Sequence, residues 1–477
     1  MFVFNKKIIM ITYFFLVSSI VNVFSASSYQ LLTQWTHFIH PTDIVGDNFG
    51  NIYTASVSNE KMITLKKFSS RGDEELNIIL NGNDLSCSIA VDNNENIYIS
   101  GNFSDFISKT DNAQKQVTIL EASADRGMEL YIIKFDQLGE LLWAHRAGGF
   151  FDNYGCSIVV NSNNLFFSGS FYKNIMFDSG AIYNLSNSSS NDALFLAKFN
   201  FDGEYIDIRI IEGPGQINSL TVDRSGKMYM TGEHYSNLIF LNGVETINLF
   251  GNQGMFLAAL DSNGFVKWVT KTDGGECIGK DVTVDQTGNI LVTGTNKFET
   301  SFYNGSEVFK TLIGSRSDIF VAKYDASGKL LWVNQIGSSG YDYSFSIATI
   351  DDNHILITGY LGEAGSFNIG SLTPISVESQ CQFIVDYDAD GNILSLFNHN
   401  KTSTNDIHVD RCGNIIVSGW GNGLSKMLYL RPDNRLNNLI RSLRMLANYE
   451  EDCYNFLPLQ KNSQIGLPEI ISLFENN

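Results

Sequence analysis

Three short segments of the chain combine aromatic rings with carboxylates, a residue chemistry typical of ligand-binding surfaces. They contain Phe151, Asp152 and Tyr154, then Asp273 and Glu276, and finally Tyr341, Asp342 and Tyr343. Rings stack on sugars and apolar groups, while carboxylates accept hydrogen bonds from hydroxyl and amide groups. We predict that these eight side chains bind a carbohydrate or peptide ligand. The alternative is that these side chains pack on one another and close the mouth of a channel.

Residues that catalyse reactions or bind metals are scattered. No two histidines have the i, i+4 spacing of a metal-binding helix, and no Gly-x-Ser-x-Gly sequence indicates a hydrolase. The segment from Asp386 to Gly391 begins like an EF-hand calcium loop, but Leu394 and Phe397 occupy its ninth and twelfth positions, which should supply oxygen ligands. We therefore predict an acidic turn there, and no metal or cofactor.

The composition excludes several classes of protein. The chain has 477 residues, of which 43% are hydrophobic and 17% charged, so it can bury a large core. The 51 acidic residues outnumber 32 Lys and Arg, which gives a net charge of −19, and no basic stripe is present. Nucleic-acid binding is excluded on this ground. Six dispersed cysteines suggest neither a zinc site nor a particular disulfide pairing.

Residues 1–25 have the pattern of a signal peptide. Lys6 and Lys7 precede an apolar run that ends in small residues at Ser25 and Ala26. The run starting at Ile8 is close to the minimum length of a membrane-spanning helix, so an uncleaved anchor is the alternative. We expect a secreted, periplasmic or cell-surface protein, which contacts a membrane only if the signal sequence is retained.

An internal repeat organises the rest of the chain. A motif of the form V-D-x-x-G-N-I-Y-[IVM]-[TS]-G occurs seven times, ending at Ala55, Gly101, Gly169, Gly232, Gly294, Gly359 and Gly419. A second motif, D-[IA]-F-[VL]-A-K-[YF]-D-x-x-G-x-L-L-W, alternates with it and is clearest at Asp318–Trp332. Its last copy begins at Lys426 but lacks the turn and the Trp strand. A segment with the pattern of that strand, Leu31–Phe38, stands alone at the N-terminal end.

Each repeat predicts four short strands, named A to D in chain order. Strands A and B are represented by Ser88–Asp92 and Asn96–Ser100, and strands C and D by Phe320–Tyr324 and Leu330–Val333. Asp, Asn and Gly between A and B and between C and D are typical of tight turns. Seven units of about 60 residues, each with four antiparallel strands, are typical of a β-propeller.

We therefore predict an all-β, seven-bladed propeller of four-stranded antiparallel blades over residues 26–431. Its ring would be closed by the N-terminal strand, which completes the last blade and leaves no open edge. Residues 432–477 form a tail in which the apolar spacing predicts an amphipathic helix over Asn434–Asn448.

The repeat resembles the bacterial β-propeller repeat family known as SBBP, whose members share the Gly-Asn-x-Tyr-Val-Thr-Gly and Asp-x-Phe-Val-Ala-Lys patterns. The resemblance covers about residues 30–431 and implies the propeller fold, but it brings no catalytic motif. Residues Tyr324–Trp332 also look like the tryptophan-docking repeat of quinoprotein dehydrogenases, which indicates a shared propeller geometry.

The connectivity sorts the loops onto two faces. The A–B and C–D turns lie on one face, the turn face, and the B–C and D–A connections lie on the other, the loop face. Inserts of variable length separate B from C in five units, with hairpins predicted over Leu238–Leu249 and Phe302–Leu312. The first and last units lack the insert. We expect the inserts to form a collar with one gap, where a partner or the tail docks.

These patterns predict an exported binding scaffold with a protein or glycan ligand on the loop face. The alternatives are a propeller enzyme of the lyase or lactonase type, with a site at the channel mouth near His145, Asp152, Asp273 and His399, and a factor in envelope assembly.

Overall fold

The computed structural model describes most of the chain between residues 30 and 433. The described ranges are 30–37, 42–58, 62–83, 85–110, 115–123, 127–149, 151–162, 164–185, 191–242, 245–251, 253–314, 316–363, 365–367, 375–377, 381–399, 402–410, 413–421 and 424–433. These residues form strands, turns and loops, and no helix among them is long and apolar enough to span a membrane. The predicted signal peptide (1–25) and the predicted helix Asn434–Asn448 lie outside them.

Antiparallel four-stranded units follow one another along the chain, as the repeat predicts, and strands A to D pair in that order. The first unit has strands A to D at β2 (Asp43–Gly46), β3 (Ile52–Ser58), β4 (Met62–Phe68) and β5 (Glu74–Asn83), and the second at β6 (Ser88–Val91), β7 (Ile97–Thr110), β9 (Glu129–Phe135) and β10 (Leu141–Gly148). In the third unit they are β11 (Tyr154–Asn161), β12 (Asn164–Tyr172), β15 (Asp192–Asn200) and β16 (Tyr205–Glu212), and in the fourth β17 (Gly215–Val222), β18 (Met228–His234), β21 (Gly254–Leu260) and β22 (Val266–Gly274). The fifth unit has β23 (Cys277–Val284), β24 (Ile290–Asn296), β27 (Asp318–Tyr324) and β28 (Leu330–Ile336), and the sixth has β29 (Tyr343–Asp351), β30 (His354–Leu361), β33 (Cys381–Tyr387) and β34 (Ile393–His399).

The final unit draws on both ends of the described chain. It contains β35 (Thr402–Val409), β36 (Ile415–Gly421) and β37 (Leu424–Asp433), and its fourth strand is β1 (Gln30–His37). Strand β1 pairs antiparallel with β37, from Gln30 opposite Asp433 to His37 opposite Met427. The strand pairing expected between the two ends of the repeat region is therefore present.

The B and C strands are buried because neighbouring units cover both faces of each sheet. Every residue of β21, β24 and β27 is buried, whereas buried and more accessible positions intermingle along the D strand β28. Strands covered on both faces read as continuous apolar runs. Apolar clusters lie between consecutive units. A further cluster joins Ile44, Ile52 and Phe68 of the first unit to Ile416 of the last.

Tryptophans of the D strands dock on the next unit. Nε1 of Trp332 donates to the carbonyl oxygen of Ala389, in the following C–D turn, at 2.9 Å. The same bond joins Trp143 to Phe201 and Trp268 to Ala326, at 3.1 Å in both pairs. A Cβ on the turn residue Gly391, whose φ is +83°, would lie 2.8 Å from the indole of Trp332. The Gly and Trp of the second motif thus join adjacent units.

Five units carry B–C inserts, and several of these inserts pair with the outer edge of the preceding unit. They contain β8 (Gln116–Glu121), β13 (Asn174–Phe177), β14 (Ile182–Asn184), β19 (Leu238–Asn242), β20 (Glu245–Leu249), β25 (Glu299–Asn304), β26 (Glu307–Ile313), β31 (Gly365–Phe367) and β32 (Ile375–Val377). The hairpins predicted over Leu238–Leu249 and Phe302–Leu312 are confirmed. Strands β13, β19 and β25 pair with the D strands β10, β16 and β22.

This pairing shows where the inserts attach, and the collar with one gap stays a prediction. The C-terminal part of β7, from Ser104 to Lys109, likewise pairs with β5. A D strand is the edge of its unit, and its free N–H and C=O groups favour pairing with any available strand. The inserts that pair in this way satisfy the edge at its loop-face end and link their units to the preceding ones, whereas β31 and β32 form a two-stranded sheet of their own.

Candidate functional site

The first sequence motif builds the turn face and has a structural role. Asp92 accepts hydrogen bonds from the backbone N–H groups of Asn94 and Asn96 at 2.8 and 3.0 Å, and from the hydroxyl of Tyr98 at 2.9 Å. Burial, together with this bond, raises the pKa of Tyr98. Lys134 Nζ lies 5.1 Å from the ring centroid of Tyr98. In this unit the motif residues therefore hold the A–B turn and contact the neighbouring C strand.

Three carboxylates, Asp43, Asp281 and Asp406, occupy the equivalent position of the A strands β2, β23 and β35, and we call them the axial carboxylates. Each accepts a backbone N–H from the A strand of the next unit. Asp43 accepts from Ile89 at 2.9 Å, Asp281 from Ile347 at 2.8 Å and Asp406 from Ile44 at 3.0 Å. They tie the innermost strands together, and sequence reasoning missed them. The available signal was that this position of strand A holds either Asp or Ser in every unit.

The axial carboxylates perturb one another. Their side chains keep some accessible surface, but protein atoms surround the carboxyl groups. Loss of hydration raises the pKa of all three groups. The pKa of Asp406 rises to about 7, first through burial and then through the charges of Asp43 and Asp281. Hydrogen bonds from Ser88 to Asp43 at 2.8 Å and from Ser346 to Asp281 at 2.8 Å oppose the rise.

The first predicted segment brings two aromatic rings and a cation together on the loop face. Phe151 packs edge to face against Tyr172, with ring centroids 4.6 Å apart. Lys173 Nζ lies 5.3 Å from both centroids. Tyr154 is exposed as well. Asp152 does not face this cluster freely, because its Oδ1 accepts a backbone N–H from the segment that precedes β9, at 2.9 Å.

Ion pairs hold the carboxylates of the second segment. Lys271 Nζ donates to both oxygens of Asp273, at 2.7 and 2.5 Å. Glu276 forms an ion pair with Lys297, and this bond raises the pKa of Lys297. The two pairs place charges of both signs at the loop-face end of β22 and at the start of β23.

The third segment separates a structural carboxylate from two exposed rings. Asp342 is fully buried and accepts hydrogen bonds from the N–H of Ser338 at 2.5 Å, from its hydroxyl at 2.7 Å and from the N–H of Gly362 at 3.0 Å. It closes the D–A loop on the next B–C connection. Tyr341 is exposed, and the guanidinium of Arg316 lies 5.6 Å from its ring centroid. Tyr343 stacks on Tyr360 at 6.5 Å.

Three further aromatic residues reach solvent on the loop face. Tyr235, Phe250 and Phe298 flank the insert hairpins and are 48%, 65% and 61% exposed. The sequence prediction did not include them, because it placed the binding rings in the D–A loops, whereas these three residues lie in polar segments that connect strand B to strand C. In the part of the chain that the structure describes, the turn face exposes the aromatic ring of Phe49.

The histidines and acidic residues do not assemble a metal centre among the described residues. His145 Nδ1 contacts the carboxylate of Asp178 at 3.1 Å, and its ring packs against Trp143 with centroids 5.1 Å apart. The side chain of His399 lies outside the described residues. In the calcium-like segment, Asp388 accepts the N–H groups of Asp390 and Asn392 at 3.0 and 2.8 Å, as an ordinary turn does.

The repeated antiparallel units, packed face to face around their A strands, define a β-propeller. No protein-family model matches the chain, so membership of the SBBP family stays a prediction. The chain is similar to an uncharacterized WD repeat-containing protein, L264, of Acanthamoeba polyphaga mimivirus, with 24% identity over 473 residues. The match covers 82% of this chain and 34% of the relative, so the chain spans about a third of the length of that protein.

Solved structures with similarity include YCF48 bound to a D1 peptide and a streptogramin B lyase. The first is 10% identical with a TM-score of 0.38, and the match covers 86% of this chain and 96% of that one. The second is 9% identical with a TM-score of 0.38, and the match covers 84% and 98% of the two chains. At these scores neither comparison bears on function.

Proposed function

We propose that this protein is an exported binding scaffold, a closed ring of seven blades whose loop face holds a protein or carbohydrate partner. Two observations support the ring. Ile44 of the first unit bonds to Asp406 of the last, and an apolar cluster that includes Ile416 lies between them. Strand β1 completes the last unit beside β37. No edge strand is then left open at the seam.

The single observation that carries the binding function is the exposure of aromatic rings on the loop face. Its exposed rings belong to Phe151, Tyr154, Tyr235, Phe250, Phe298, Tyr341 and Tyr343. Burial of an exposed aromatic side chain against a partner lowers the free energy of the complex, and aromatic residues are enriched where proteins bind one another. The turn face, with its single exposed ring in the described chain, offers far less.

The positions of the charged groups support binding rather than catalysis on this face. Asp152, Asp273, Glu276 and Asp342 each hold a loop or an ion pair through the contacts described above. A general acid or base needs a group free to exchange a proton with a substrate. The rings remain available for contact, with Lys173 and Arg316 beside two of them.

Export is part of the proposal and rests on residues 1–25. The test is the N-terminal sequence of the protein recovered from an expressing cell. A mature chain beginning near Ala26 outside the cytoplasm supports export, and a full-length cytoplasmic chain contradicts it.

Binding is tested by retention of glycans and native proteins on three immobilised forms of the full-length chain. These are the wild type, a loop-face variant with Phe151→Ser, Tyr154→Ser, Tyr341→Ser and Tyr343→Ser, and a turn-face control with Phe49→Ser and Leu138→Ser. All replaced side chains are exposed, so folding should survive. A ligand held by the wild type and the control, but lost by the loop-face variant, supports the proposal. Equal retention by all three contradicts it.

A further inference from the structure

A polar cavity of about 500 Å³ opens on the turn face, away from the exposed rings. Strands β17 and β23 and the turns that follow them line much of it, and residues of β29 and β35 complete the wall. Its volume falls in the range of small-molecule sites, about 300–1,000 Å³. The cavity is a feature of several units together, because four of them contribute residues to its lining.

The carboxylates that line the cavity are engaged by the protein. Asp285 forms a buried ion pair with Lys323 at 3.1 Å. Asp223 and Asp410 accept backbone N–H groups of their own turns, at 2.8 to 2.9 Å. Their lone pairs point into the turns, so these groups shape the cavity without being its free hydrogen-bonding groups.

Two cations and three hydroxyls of the lining are available to a ligand. Arg224 and Lys227 are exposed at the cavity, and within the described chain neither side chain forms an ion pair or hydrogen bond. The hydroxyls of Thr221, Thr283 and Thr349 also lack hydrogen-bond partners there. The protein as a whole has a net charge of −19, which makes two unpaired cations at one cavity an unusual local environment.

We propose that this cavity binds a small hydroxylated carboxylic acid, such as a sugar acid. The guanidinium of Arg224 matches a carboxylate, which it can hold by two parallel hydrogen bonds, and Lys227 adds a second positive charge. The threonine hydroxyls donate to and accept from the ligand hydroxyls. A single negative charge suits the site better than a phosphate dianion, because the carboxylates of Asp223, Asp285 and Asp410 repel a second charge.

The test is calorimetric titration of the full-length protein with glucuronate, galacturonate and gluconate, and with glucose as the uncharged counterpart. The sugar acid that binds should do so at least about tenfold more tightly than glucose, the factor that corresponds to one charge-assisted contact. Arg224→Ala should weaken it by a similar factor. The matched control is Arg316→Ala on the loop face, which should leave the affinity unchanged.

The same titrations are repeated in a second variant of the full-length protein, so that carboxylates of the tail cannot compete with the added acid. We call this variant the second background. In it Glu450→Gln, Glu451→Gln and Asp452→Asn remove the acidic cluster of the tail. Binding in either background that depends on Arg224 supports the site. The proposal is overturned if no acid binds saturably at millimolar concentration in either background, if glucose binds equally well, or if Arg224→Ala has no effect. Separate variants test the two faces. A failure of the loop-face binding assay would therefore leave the sugar-acid result unaffected.

Discussion

The backbone N–H of Ile44, in the first described unit, donates a 3.0 Å hydrogen bond to Oδ2 of Asp406, in the last. The bond repeats a relationship found between consecutive units, where Asp43 accepts from Ile89 and Asp281 from Ile347. The first and last described units therefore share the kind of hydrogen bond that joins these consecutive units. The carboxylates that make these bonds also give the protein a defined response to pH.

Stability should fall as the axial carboxylates ionise. Their pKa values are raised in the folded protein, that of Asp406 to about 7, so the folded state binds protons more tightly than the unfolded state. The resulting stabilisation is complete below the unfolded pKa of about 4 and is lost as the pH rises to about 7. Urea denaturation from about pH 5 to about pH 8 measures the loss.

The variant Asp406→Asn isolates this effect. The amide oxygen can still accept the N–H of Ile44, but the side chain no longer ionises. The free energy of unfolding of the wild type should fall as the pH rises, whereas that of the variant should fall less. The difference between the two should therefore grow in favour of the variant, by on the order of 1–3 kcal/mol after allowance for solvent screening. Asp136→Asn, in an exposed C–D turn, is the control. An Asp406→Asn profile parallel to that of the wild type would rule the explanation out.

Docking of tryptophan on the turn of the next unit predicts a difference between two glycines. Gly391 and Gly288 both have positive φ, +83° and +84°, but only at Gly391 would a Cβ meet an indole, that of Trp332. Gly288→Ala should lose about 1 kcal/mol through backbone strain. Gly391→Ala should lose a further 1–3 kcal/mol or so because the contact is overpacked. Equal losses in urea denaturation would show that the indole contact does not matter.

Substitutions at two adjacent residues of the third loop-face segment should have different effects, one on stability and the other on ligand binding. Asp342→Ala removes the acceptor of three hydrogen bonds and should cost about 1–3 kcal/mol of unfolding free energy. Tyr341→Ala should leave stability nearly unchanged and weaken ligand retention. Denaturation and retention assays on both variants check this. A stable Asp342→Ala variant that loses the ligand would instead make the carboxylate a direct ligand contact.

The free thiols of Cys87 and Cys277 should resist alkylation in the folded protein. Burial raises the pKa of Cys87 and of Cys277 to about 12, which leaves almost no thiolate at neutral pH. Peptide mapping after iodoacetamide treatment should find both thiols unmodified in the native protein and modified in urea. Rapid native modification of Cys277 would contradict its burial.

The sequence predicted the units well because their determinants are local. Tight turns need residues such as Gly391 that accept positive φ, and period-two apolar patterns mark the strands. The insert hairpin around Asn304 was predictable for the same reason. Its attachment to β22 was not, because strand pairing between units depends on geometry that no short motif encodes.

The candidate site was only partly predictable. Exposed rings such as Phe151 and Tyr341 can be expected in loops, but residue type does not distinguish a carboxylate that faces a ligand from one that closes a loop, as Asp342 does. Asp406 occupies a position filled by serine in four other units, and its interaction with Asp43 joins units that lie far apart in the sequence. Long-range electrostatics of this kind is invisible in one sequence.

Hydrogen–deuterium exchange of the full-length protein, with and without the ligand retained in the binding assay, tests the loop face most directly. The scaffold account predicts slower exchange in segments 151–154, 273–276 and 341–343 when the ligand is bound, and no change in the turn-face segments 47–51 and 136–139. Protection of the turn-face segments, with unchanged exchange in the three loop-face segments, would contradict it.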